Sequence, residues 1–287
     1  MVISDKEDIF NSKDAILLAA MSYQTYPFFL EGKLILPKGY ELRYTIRAFV
    51  NVENPTEEVF GFIAESKDTI IIAFRGYILY PADLIAQYDI LQVPYPFVTN
   101  AGKTSRGFTC IYQSTRDNLI RQLDKLSTAK RLFITAHNYG GALATLAALD
   151  IAVNTGFKNP IVYTYGSPRV GDPEFASRFN MTVKNSIRIV NIHDSFPTFP
   201  ERVYPPPFTD EGLLYEHVKT KYPISFQLNN TPRNDSIGCY FKNLSQMNPD
   251  FARALCSENP GFCPNTEMCF PFQGTCKCPT PCMKERS

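Results

Sequence analysis

Tryptophan is absent from this 287-residue chain, histidine occurs three times, and no apolar run is long enough to span a bilayer. A membrane-crossing helix needs about 18–20 consecutive apolar residues, so no transmembrane segment is expected. Three scattered histidines make a metal centre a poor reading, and no cofactor motif stands out. Charge of one sign is also missing: 29 Lys+Arg oppose 28 Asp+Glu, a formal +1. That balance leaves no broad positive field for nucleic acid. The opening MVISDKEDIF lacks the basic start, apolar core and small-residue cleavage site of a signal peptide. Phenylalanine and tyrosine are abundant instead, at 22 and 16, and supply the large aromatics of the core and of any pocket. With 44% hydrophobic and 20% charged residues, the chain reads as a folded globule.

Its length suits one large α/β domain, about residues 1–235, and a small extension over 236–287. Cys110 stands alone, whereas the other seven cysteines fall between Cys239 and Cys282. That density points to a disulfide framework and to an extracellular or otherwise oxidising compartment. A tetrathiolate zinc site is the weaker alternative, because Cys269, Cys276, Cys278 and Cys282 lack paired CxxC spacing. Eight paired cysteines would allow about 105 connectivities, and spacing does not choose among them. Cys110 is expected to be buried or paired.

Apolar periodicity predicts a helix over 11–26, a partly exposed strand over 41–50, and a hairpin of strands 59–64 and 69–74. TIIIAF at 69–74 is nearly all apolar and should be covered on both faces. Helices at 110–126, 140–153 and 172–180 then alternate with strands at 131–135, 161–165 and 187–190. Such alternation implies a mostly parallel sheet with helices on both faces. Pro205-Pro206-Pro207 marks a rigid surface loop, and Ile224, Phe226 and Leu228 suggest a late edge strand. From about Ser236 the periodicity disappears.

Between the strand at 131–135 and the helix starting at Gly140 lies Ala136-His137-Asn138-Tyr139-Gly140. Strand, sharp turn and helix form the setting of a nucleophile elbow, with small residues allowing the bend and the next backbone N–H aimed at an oxyanion. HNYGGALATLAALD resembles the elbow of the class 3 (fungal-type) lipases, an α/β-hydrolase family whose pattern there is Gly-His-Ser-Leu-Gly-Gly-Ala-Leu-Ala. FRG at 74–76, RGF at 106–108, YTYGSPRVGD at 163–172, RIVNIHDSFPTFP at 188–200 and YEHV at 215–218 extend the resemblance. It covers roughly residues 10–230 and implies an α/β-hydrolase acting on acylglycerol-like esters without a cofactor or metal.

The resemblance implies a triad of Asn138, Asp194 and His217, in the chain order of an α/β-hydrolase. Asp194 would orient His217, and His217 would act as general base. Asn138 stands where the family has serine, and a carboxamide offers no nucleophilic oxygen to a general base. It does tolerate the positive φ of an elbow. The oxyanion hole would use the backbone of Tyr77 and Tyr139, where the family has Thr or Ser and commonly Leu. Ile78, Leu79, Tyr80, Pro81 and Leu84 would form an apolar lid, with Phe196 also at the pocket. Loss of the serine alone accounts for Asn138 but not for Tyr77, Leu84, Tyr139 and Phe196.

Three functions are compatible with these residues: a lipase or esterase with impaired hydrolysis, a non-enzymatic lipid-binding protein, and a rebuilt pocket using His217–Asp194 as general base. The expected partner is an acyl ester or fatty-acid-like molecule, with contact at a lipid interface. Ser167 and Ser195 occupy no elbow and are poor substitute nucleophiles. Gly102-Lys103-Thr104 lacks the glycine-rich loop of a phosphate site. His137 reads as structural, and His193 has no ligand set around it.

Overall fold

The computed structural model describes residues 10–49, 56–76, 89–204, 212–228 and 234–266. Helix α1 (Ser12–Glu31) starts where the Asn11 side chain accepts the Lys13 and Asp14 backbone N–H groups. It ends at Gly32, whose φ of 67° supplies the left-handed stop. Strands β1 (Glu41–Phe49), β2 (Glu57–Glu65) and β3 (Thr69–Phe74) then pair antiparallel in succession.

After β3 come the short strands β4 (Gln92–Pro94) and β5 (Lys103–Ser105), which pair with each other. They lead into α2 (Arg106–Leu123), β6 (Arg131–His137), α3 (Gly140–Asn154), β7 (Ile161–Tyr165), α4 (Pro173–Thr182) and β8 (Asn185–Asn191). A two-strand pair follows, β9 (Val203–Tyr204) with β10 (Leu213–Leu214), and then β11 (Lys221–Ile224). Among the described residues the main sheet has seven strands, ordered β1-β2-β3-β6-β7-β8-β11 and parallel from β3 onward.

The sheet is the middle of three layers. Ile70, Ile72, Phe74, Ile134 and Val162 pack into one apolar cluster with residues of α2, α3 and α4. The alternate residues Ile71, Ala73, Phe133, Tyr163 and Ile187 pack with α1 on the opposite face, as the period-2 pleat requires. All six residues of β3 are buried, matching the apolar run. Helix α3 is buried from Gly140 through Ala152, and its acid Asp150 is held by Arg116 and the Tyr112 hydroxyl.

Several boundaries and contacts differ from the sequence reading. The late edge strand covers 221–224 rather than extending through Phe226 and Leu228, because residues 225–228 leave the ladder. Two helices appear where no periodicity was legible, α5 (Ile237–Ser245) and α6 (Pro249–Glu258). Ile237, Tyr240, Phe241 and Leu244 of α5 join α1 in covering the sheet. Cys256 pairs with Cys263, and Cys239 is also disulfide-bonded. Cys110 is neither buried nor paired: it is an exposed free thiol. It lies with Arg106, Gln113 and Asp117 on the outward stripe of α2, a spacing that turns all four away from the sheet. The predicted loop at Pro205–Pro207 lies outside the described residues.

Helix α3 comes so close to the end of β3 that a Cβ on Gly140 would lie 2.4 Å from the Arg75 carbonyl oxygen. Replacing Gly140 with Ala should therefore destabilise the fold by about 1–3 kcal/mol, the usual cost of overpacking. Chemical denaturation of G140A against the parent checks this; equal midpoints would show that the approach relaxes freely.

Candidate active site at the strand–helix turn

The turn after β6 places Asn138 at φ 53°, buried to 3% exposure. Its backbone N–H donates to Tyr165 O at 2.8 Å, and its own carbonyl accepts from Gly141 N at 2.9 Å. Small residues are required around it. A Cβ on Gly76 would lie 2.7 Å from the His137 carbonyl, and one on Gly141 would meet Ser167 at 2.6 Å. The Asn138 carboxamide folds back on its neighbour: Oδ1 accepts the Tyr139 N–H at 2.6 Å, and Nδ2 donates to Asp235 Oδ2 at 3.4 Å. The Tyr139 ring is buried edge-to-face against Phe108.

His137 is tied at both ring nitrogens. Nε2 meets the Asp235 backbone carbonyl, which can only accept, so Nε2 carries the proton. In the neutral ring Nδ1 then accepts from the Tyr26 hydroxyl at 2.5 Å. Burial pushes this imidazole down to about 4, against a smaller upward pull from the Asp235 carbonyl. His137 is thus a structural, uncharged residue, in line with the sequence reading.

Asp194 follows β8 and is buried. Its Oδ1 accepts from Phe196 N at 2.8 Å, and its Oδ2 accepts the Tyr240 hydroxyl at 2.8 Å. That hydroxyl accepts in turn from Asn191 N at 3.0 Å. Burial, helped by the nearby Asp235 charge, raises the carboxyl to about 7 despite these two hydrogen bonds. Burial also raises Asp235 to about 6.

His217 lies between β10 and β11 and shares a cavity of about 190 Å³ with Asp194. The two side chains make no hydrogen bond or ion pair with each other; His217 Nε2 instead donates to Pro197 O at 2.7 Å. The neutral ring therefore has its lone pair on Nδ1, the reverse of the tautomer that a carboxylate-oriented general base needs. Desolvation first, then the charges of Arg188, Arg169 and Lys221, lower it to about 3.

The structure thus brings Asp194 and His217 to one cavity, to which the short 3₁₀ turn Phe196–Thr198 contributes Pro197 and Thr198, whereas the Phe196 ring packs against the apolar core and does not line it. Asn138 is joined to Asp235 rather than to His217. Tyr77, Ile78, Leu79, Tyr80, Pro81 and Leu84 lie outside the described residues. Sequence reading did not find Tyr26, Asp235 or Tyr240. Each comes from a distant segment with no motif of its own, so only the fold reveals them. Among the described residues no His/Cys/Asp/Glu group could hold a metal ion, and no helix is long and apolar enough to cross a membrane.

The raised Asp194 carboxyl makes a signed prediction. Between about pH 4 and pH 7 the folded chain keeps a proton that the unfolded chain releases, so this group's contribution to stability declines as pH rises through that window. Relative to the parent, D194N should gain about 2–4 kcal/mol between pH 4 and pH 8, at about 1.4 kcal/mol per pK unit. Urea unfolding of both proteins at the two pH values measures it. Parallel stabilities would mean that the carboxyl titrates normally.

Comparison with known proteins places this geometry in context. Residues 71–204 match the model of the class 3 lipase family. The chain is 34% identical over 146 residues to a lipase of Rhizomucor miehei, covering 49% of this chain and 40% of the relative. It is 26% identical over 243 residues to phospholipase A1 EG1, chloroplastic/mitochondrial, of Oryza sativa subsp. indica, covering 66% of this chain and 54% of the relative. The chain therefore spans only about half the length of these curated relatives. The solved Rhizomucor miehei lipase propeptide complex superposes with a TM-score of 0.59 at 25% identity, over 77% of this chain and 70% of that one. A mostly parallel sheet between two helical layers, bent at a positive-φ turn and matched by this solved structure, gives the chain an α/β-hydrolase fold, within which residues 71–204 are similar to the class 3 lipases.

Proposed function

We propose that the chain is a lipid-ester hydrolase-like protein that binds acylglycerol-like esters and hydrolyses them poorly, because Asn138 occupies the nucleophile position. The carrying observation is the Asn138 carboxamide itself. It sits at the positive-φ bend, and its Oδ1 accepts the Tyr139 N–H that would otherwise face an oxyanion. One side chain thus withholds the attacking oxygen and occupies a donor for the intermediate.

The acid and base roles of Asp194 and His217 belong to the same proposal. Acyl transfer would need a hydroxyl at position 138, His217 turned from Pro197 to free Nε2, and Asp194 released from Tyr240 to orient Nδ1–H. Tyr139 would then present its N–H to the oxyanion, with Tyr77 as the second donor and Ile78–Leu84 and Phe196 bounding the acyl groove. The disulfides support an extracellular or other oxidising setting. The boundary near residue 235 is read as separating the hydrolase core from a cysteine-rich segment that buttresses it.

The occupied Tyr139 N–H also favours a second reading, lipid binding without catalysis. Apolar area removed from water is worth about 25 cal/mol per Å², so acyl-chain affinity does not depend on a nucleophile.

The substitution N138S separates these readings. The parent should take no fluorophosphonate label and hydrolyse p-nitrophenyl butyrate at background. N138S should acquire the label and gain turnover by about 10²-fold or more, the scale on which nucleophile and oxyanion-hole losses act. Equal labelling and turnover in the two proteins would overturn the role given to Asn138. A parent that binds fatty acid, with an N138S variant that takes no label, would favour the non-enzymatic reading.

A further inference from the structure

The cavity beside His217 contains a feature that ester hydrolysis does not require. Arg188 lies in the middle of β8, only 6% exposed, and its guanidinium has no carboxylate partner among the described residues. Its Nε donates to Val218 O at 2.7 Å, tying β8 to the segment before β11. No described protein group accepts from its two terminal nitrogens, and the residue lines the cavity. Arg169 lines the same space, held by Nη1 to the carbonyls of Thr198 and Pro200, again without an acid. Lys221, paired with Arg188 in the sheet register, supplies a third cation at the exposed side.

Buried cations are normally matched by carboxylates, because an unpaired charge withdrawn from water costs several kcal/mol. The cost is visible here: burial, then the neighbouring Arg169 charge, depresses Arg188 to about 10. Asp194 also borders the cavity but gives its carboxyl oxygens to Tyr240 and Phe196. Three cations therefore converge on one space in which, among the described residues, none of them forms an ion pair; the acids nearby are Asp194 at the border and Glu201 near Arg169. At about 190 Å³ the cavity is below the roughly 300–1,000 Å³ of drug-sized ligand sites. It suits a compact charged group.

We infer that this cavity is an oxyanion-binding site that takes a phosphoryl group, with Arg188 and Arg169 as its floor and Lys221 at its mouth. A planar guanidinium with free terminal N–H groups is suited to paired hydrogen bonds with phosphate oxygens, and Lys221 adds a mobile point charge. The His217 Nδ1 lone pair would accept from a protonated phosphate oxygen. The inference deepens the proposed function by naming a charged group of the substrate, and it rests on that reading only in this respect. The phosphoryl group comes either from an anionic lipid headgroup or from free phosphate, and the chemistry at the cavity is the same.

The test reads binding rather than turnover, so it stands apart from whether hydrolysis occurs. Inorganic phosphate is titrated into the full chain by calorimetry, beside R188Q and K221E. Saturable binding by the parent is expected, weakened about tenfold or more in each variant. K221E places a carboxylate next to Arg188 at an exposed position and should fold even if R188Q does not. Phosphatidylcholine vesicles with and without phosphatidic acid then separate the sources. Phosphate competing with phosphatidic acid vesicles assigns the headgroup, and phosphate binding without vesicle competition assigns the free ion; both support the site. Absent phosphate binding, or binding that K221E leaves unchanged, overturns it.

Discussion

The approach of helix α3 to the end of strand β3 governs the rest of the molecule. There is space for a hydrogen but not a methyl group between Gly140 and the Arg75 carbonyl. Meeting that restriction forces the chain leaving β6 to bend sharply, and Asn138 takes up the bend at a φ that few non-glycine residues adopt. The bend brings the Tyr139 N–H to the head of a helix and directs the Asn138 side chain toward Asp235. A looser contact between α3 and β3 would dissolve this geometry before it changed any chemistry.

The second determinant is the layer completed by the C-terminal helices. Tyr240 of α5 restrains Asp194, while Asp235, just ahead of that helix, engages both His137 and Asn138. Two acids shifted upward and two histidines shifted downward therefore share this end of the sheet. All four shifts favour the uncharged forms, since burial penalises carboxylate and imidazolium alike. Arg169, Arg188 and Lys221 line the same cavity as Asp194 and His217.

Much of the frame was legible from residue patterns. The alternation of apolar strands with helices from Thr69 to Val190 gave the parallel sheet, and the small residues after His137 located the bend. Patterns failed where the information was nonlocal or short. Helices α5 and α6 span too few residues for a clear period, and their positions depend on packing against α1. Tyr26 reaches His137 across 111 residues, and Tyr240 reaches Asp194 across 46. No spacing rule could pair them. An isolated cysteine carries no sign of which helical face it occupies, and Cys110 is exposed rather than buried or paired. The placement of Asp194 and His217 at one cavity was suggested by motif resemblance, whereas their separate hydrogen-bond partners required the fold.

The fastening between helix α1 and the turn that follows α6 has its own consequence. Gln24 donates from Nε2 to the carbonyls of Gly261 and Phe262, while its Oε1 accepts from Ile35 N. The Cys256–Cys263 bridge closes the loop that contains those carbonyls, and Phe262 is fully buried beneath it. Opening that bridge would loosen a plug near the amino-terminal helix, far along the chain from the bend. Phe262 belongs to the same apolar layer as Tyr240 of α5, so reduction would act on this protein from the layer behind the sheet, away from the cavity of Asp194 and His217.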